Sequence, residues 1–126
     1  MARQSVPYDQ YPLSGFGGSK IGWAGDHFGP GTAGNTGANY NQNGYNLNAS
    51  SLGFPGGFEK IDLGYSKSQN YYARAYYPNN TSNASETRAV QPSYVIVTWY
   101  YAANNVQVAN NTDLSGECIV MWALGI

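Results

Sequence analysis

The sequence predicts an all-β protein: an antiparallel β-sandwich or jelly-roll-like core with a long irregular Gly/Asn-rich N-terminal arm. Three observations predict it. From residue 58 onward, apolar residues recur with a period of two, as half-buried strands require. No stretch longer than a turn carries apolar residues at helical spacing. Most of the glycine lies in residues 1–57, where Ser14-Gly15-Phe16-Gly17-Gly18, Gly29-Pro30-Gly31 and Gly53-Phe54-Pro55-Gly56-Gly57 are turn signals. A chain of 126 residues supplies one domain. It divides here into an arm, 1–57, and a β core, 58–126.

The core is read element by element. Phe58–Tyr65 alternates, with Ile61, Leu63 and Tyr65 on one face and Lys60 and Asp62 on the other. Tyr71–Tyr77 is a second strand that Pro78 ends, because proline donates nothing to a ladder. Residues 79–87 form a polar loop. Ser93–Ala102 is the strongest strand: Val95, Val97, Trp99 and Tyr101 face one way, Tyr94, Ile96, Thr98 and Tyr100 the other. Both faces are bulky, so it is expected to be central and covered on both sides. Asn104-Asn105 suits a hairpin turn, since asparagine tolerates positive φ. Val106–Ala109 is the returning strand. A second turn, 110–116, leads to Glu117–Leu124, with Cys118, Val120, Trp122 and Leu124 on one face.

Residues 1–57 show no long alternation. Structureless stretches of that length are uncommon in compact domains. Disordered segments are usually aromatic-poor, yet this one holds Tyr8, Tyr11, Phe16, Trp23 and Phe28. The expectation is an extended arm whose aromatics dock into neighbouring subunits.

Composition narrows the partners. Charged residues make up 10% of the chain, against about 25% in typical soluble domains. A surface so poor in charge resists self-association weakly, which suits a subunit buried in an assembly. The six Lys and Arg are scattered, so there is no footprint for nucleic acid. No apolar run of about 20 residues exists to span a membrane as a helix. The N-terminus lacks the apolar core of a signal peptide, so synthesis in a cytoplasm without secretory export is expected. The lone Cys118 cannot form an internal disulfide and reads as buried filler.

Chemistry is sparse. Asp26-His27 is the one place where a base and a carboxylate adjoin; neighbours in a strand point to opposite faces, and in a glycine loop their geometry is open. No nucleophile-elbow pattern surrounds a serine. Glu59 and Asp62 fall on opposite faces of one strand, which is no glycosidase pair. Asn39-x-Asn41-x-Asn43-Gly44 imitates the start of a calcium loop, but its ligands are neutral amides and Ser50 stands where a bidentate glutamate belongs. It reads as a turn. No catalytic residue, metal ligand or cofactor site is assigned, and the chain is expected not to be an enzyme.

The strongest remaining signal is aromatic. Tyrosine offers an apolar body and a polar tip and is favoured at interfaces. Tyr72, Arg74, Tyr76, Tyr94, Trp99 and Trp122 join the arm aromatics as interface candidates. The same tyrosines, with Asn79 and Asn80, could stack on and hydrogen-bond to sugars; plain sheet packing is the third reading.

Ser85-Glu86-Thr87-Arg88, followed by Ala-Val-Gln-Pro-Ser-Tyr-Val-Ile-Val-Thr-Trp-Tyr, resembles the terminal motif of tailed-bacteriophage fibre and collar domains over about 15–20 residues. The usual Arg-Pro step is absent, and the chain runs on through another hairpin. In overall design, a short charge-poor β-rich chain with an irregular arm is similar to phage head decoration, or cement, proteins. That resemblance implies a virion structural protein that trimerises and binds the major capsid protein or another virion protein to stabilise the head shell. The alternative it implies is a receptor-binding fibre tip or lectin-like module with a glycan as partner.

Overall fold

The computed structural model describes residues 6–13 as backbone, and residues 20–34, 36–77 and 92–126 with their side chains. Among the described residues the fold is all-β apart from one 3-10 turn, Ala49–Leu52. The strands are β1 (Val6–Leu13), β2 (Lys20–Phe28), β3 (Tyr45–Asn48), β4 (Phe58–Asp62), β5 (Tyr71–Tyr76), β6 (Tyr94–Tyr101) and β7 (Cys118–Gly125). They form a four-stranded sheet of order β1-β2-β7-β4 and a three-stranded sheet of order β3-β6-β5. Every pairing is antiparallel.

The division at residue 57 is corrected by these pairings. β2 lies inside the four-stranded sheet, hydrogen-bonded to β1 on one side and β7 on the other. β3 borders the three-stranded sheet through Tyr45↔Val97 to Asn48↔Tyr94. Residues 20–57 are therefore built into the same core as residues 58–126. The physical reason is that the inward face of β2 is Ile21, Trp23, Gly25 and His27. A glycine and a histidine interrupt the apolar alternation, although the pairing with β7 is continuous from Ile21↔Gly125 to Phe28↔Cys118.

Both sheets contribute to one buried cluster. Trp23, Ile119, Met121 and Ala123 come from the first; Leu47, Ala73, Val95, Val97 and Trp99 come from the second. Trp23 and Trp99 are among the largest fully enclosed side chains. Truncating such a ring typically costs about 3–5 kcal/mol. β6 is central in its sheet, but its outer residues Tyr94, Ile96 and Tyr100 stay half-exposed. Val106–Ala109 is no strand; it contributes a single bridge, Tyr100↔Gln107. The Asn104-Asn105 turn forms: Asn105 has φ 62°, its N–H donates to the Tyr101 carbonyl, and Asn104 Oδ1 receives the Val106 N–H.

Long loops stay ordered by bonding to one another. The Leu114 N–H donates to the Pro30 carbonyl, Tyr40 N–H to Thr112, and Asn111 N–H to Tyr40. Asn41–Gly44 is a turn, with Gly44 N–H on the Asn41 carbonyl at 2.8 Å and Asn41 Oδ1 accepting from Asn43 N–H. Gly44 has φ +81°, a conformation that disfavours a side chain. This segment is a turn, as its neutral amides implied.

Candidate functional site

The two sheets each present an outward face, and the two faces differ in chemistry. On the four-stranded sheet, Ile119, Met121 and Ala123 of β7 point inward and are fully buried. Cys118, Val120, Trp122 and Leu124 alternate with them and point outward. Their register neighbours on β2 are Phe28, Asp26, Ala24 and Gly22. The result is an apolar strip of Phe28, Val120, Trp122 and Leu124, in which Val120 is 50% exposed. Charged residues rim it. Lys60 lies over the Trp122 ring at 5.8 Å, Asp62 pairs with Trp122 in register, and Lys67 meets Asp26 at 3.1 Å. An apolar centre inside a polar rim is the anatomy of a protein contact surface.

The outer face of the three-stranded sheet carries Tyr72, Arg74 and Tyr76 from β5, beside Tyr100, Thr98 and Ile96 of β6. Tyr72 and Tyr100 stack with centroids 5.2 Å apart. The Arg74 guanidinium lies 6.0 Å from both the Tyr76 and Tyr100 rings. The Tyr76 and Tyr100 hydroxyls are 2.8 Å apart, and Thr98 Oγ1 donates to Tyr100 at 3.1 Å. Desolvation, with Tyr76 adding to it, pushes the Tyr100 phenol up to about 12, so it remains a neutral donor. Beside these residues Gln42, Asn43 and Gln107 close one side of a groove of about 360 Å³. Gln107 is held by two donated bonds, to the Tyr40 hydroxyl and the Gln42 carbonyl.

Between the sheets lies a polar chain that sequence reasoning did not find. Trp99 Nε1–H donates to the Tyr45 hydroxyl at 2.9 Å. That hydroxyl lies 2.6 Å from His27 Nε2 and hydrogen-bonds to it. His27 itself is fully enclosed. Complete burial lowers its pKa to about 4. Desolvation likewise raises Tyr45, so both groups stay uncharged. The chain joins β2 to β3 and β6 and satisfies polar atoms that would otherwise be stranded in the core.

β2 separates Asp26 from His27: Asp26 faces outward to Lys67, while His27 is enclosed. Glu59 pairs with Lys20 at 3.1 Å. Among the described residues no group of three metal-ligating side chains converges. Of the interface candidates, Phe28 and Trp122 share the outward face of the four-stranded sheet, and Tyr72, Arg74 and Tyr76 the outward face of the other, with Tyr94 farther along β6. Trp23 and Trp99 are corrected: they are 2% and 0% exposed and fill the core, because their strand positions share its face. Tyr8 and Tyr11 lie on β1, with side chains outside the described residues. Phe16, Asn79, Asn80 and the phage-like Glu86-Thr87-Arg88 step also lie outside them. Cys118 is half-buried on the outward face, a correction to its reading as core filler.

No family model, curated protein or solved structure matches this chain.

Proposed function

We propose that this chain is a non-enzymatic structural protein of a virion surface, a capsid decoration subunit that binds and stabilises the head shell. In this reading the two sheets pack as a β-sandwich. The observation that carries the assembly role is the outward apolar strip of Phe28, Val120, Trp122 and Leu124 within its charged rim. A contact repeated around a closed symmetric shell multiplies modest affinities into a large total. The low charge of the chain supports the same reading, because little repulsion opposes association. The partners are further copies of this chain, as a trimer, and the major capsid protein.

Val120→Glu tests the strip. Its side chain is half-exposed, so the monomer fold tolerates the change, whereas a charge buried in a contact without a partner is strongly unfavourable. Sedimentation of the purified protein should show trimers for the parent and monomers for the variant, and occupancy on capsids should fall at least tenfold. Unchanged association and unchanged occupancy would refute the assignment. The receptor-binding alternative is supported by a separate observation, the groove on the other sheet.

A further inference from the structure

We propose that the groove on the outer face of the three-stranded sheet is a carbohydrate-binding site, taking one polyhydroxylated sugar ring of a glycan. It is lined by Gln42, Asn43, Tyr76, Thr98, Tyr100 and Gln107, with Ile96 as its apolar part. The inference goes beyond the assembly role and rests on the opposite side of the molecule from the apolar strip.

Local architecture makes the groove. β3 is only four residues long and begins against Val97 of β6. Just before it the chain turns at Gly44. A Cβ there would sit 2.8 Å from Ile96 Cγ2 and 3.1 Å from Thr98 Cγ2. The missing side chain lets the Gln42-Asn43 turn lie close to β6 while the space over Thr98 stays open.

Hydrogen-bond accounting then describes what would enter. Thr98, Tyr76 and Tyr100 carry three hydroxyl hydrogens, and the chain linking them uses two of these. One O–H remains to donate into the groove. Both N–H groups of Gln107 are committed, to Tyr40 and to the Gln42 backbone, which leaves its carbonyl oxygen to accept. The Asn43 side chain adds a donor and an acceptor beside them. Neighbouring sugar hydroxyls, each a donor and an acceptor at once, match this alternation. The aromatic rings of Tyr76 and Tyr100 supply the flat surfaces that the C–H face of a pyranose covers.

Other ligand classes fit less well. A phosphate or nucleic acid calls for clustered cations, and Arg74 is the one cation among the described residues of this face. An apolar peptide calls for several hydrophobic pockets, and Ile96 is the one aliphatic lining residue.

The test is a glycan array probed with the purified full-length chain, followed by calorimetric titration of the best soluble oligosaccharide. Arms containing acidic sugars show whether Arg74 adds a charge contact. Asn43→Ala and Thr98→Val each remove one hydrogen-bonding group from the groove and should weaken binding about tenfold. Their urea midpoints should stay near that of the parent, and Tyr76→Phe serves as a third variant should either fail to fold. An array with no signal above background overturns the proposal. So does binding that all folded variants retain, or binding to a target that survives removal of its glycans. None of these failures bears on the apolar strip, which Val120→Glu tests separately.

Discussion

Acid should weaken this fold through a buried histidine. His27 is enclosed, and burial lowers its pKa from 6.5 to about 4. The unfolded chain therefore takes up a proton more readily than the folded one throughout that interval. Stability is complete above pH about 6.5, falls as pH drops towards 4, and levels off once both states are protonated. Across the whole window the loss is about 3 kcal/mol, of which about 2 kcal/mol is gone by pH 5. That is a large share of the stability of a small domain. Asp113, held low by its bonds to Ser115, acts only at lower pH than this. Urea unfolding at pH 7.5 and pH 5, followed by tryptophan fluorescence, measures the difference; Trp99 lies in the same polar chain and reports it directly. His27→Gln keeps a hydrogen-bonding group beside the Tyr45 hydroxyl and cannot titrate. It should abolish the pH slope in this range while lowering stability modestly at neutral pH. Equal stability at the two pH values, or the same slope in the variant, would refute the reasoning.

The remaining predictions concern packing and polar satisfaction. Gly125→Ala would drive a Cβ into the Phe54 ring, which is 1% exposed and enclosed by the core. Overpacking should cost about 1–3 kcal/mol and lower Tm by several degrees; an unchanged calorimetric Tm would contradict it. Tyr45→Phe removes the hydroxyl between Trp99 Nε1–H and His27 Nε2 and strands both. It should destabilise by about 1–3 kcal/mol in urea titrations, more than Tyr65→Phe at a site 62% exposed.

Much of the second half was legible because its chemistry is local. β4 to β7 alternate strongly enough that their facing follows from the residues themselves. Asn104 and Asn105 announce their turn because few other residues adopt such backbone angles cheaply. β2 was illegible for the opposite reason. Gly25 and His27 on its core-facing side look like loop residues until β7 supplies a partner ladder and Tyr45 supplies a hydrogen bond. β3, at four residues, is too short to show any period.

By itself, the sequence determined the all-β class, the antiparallel strands of the second half and an aromatic, charge-poor surface. Backbone propensity and alternation are properties of neighbouring residues, so they survive without a structure. Which aromatics are core and which are surface was decided only by the tertiary structure. Trp23 and Trp99 are enclosed, whereas Trp122 faces outward one position from buried Met121 and Ala123. The groove depends on the fold in the same way. Gln42 and Gln107 are separated by 65 positions, yet they meet in one hydrogen bond. That meeting follows from two loops pairing across the molecule, and no local pattern in either loop records it.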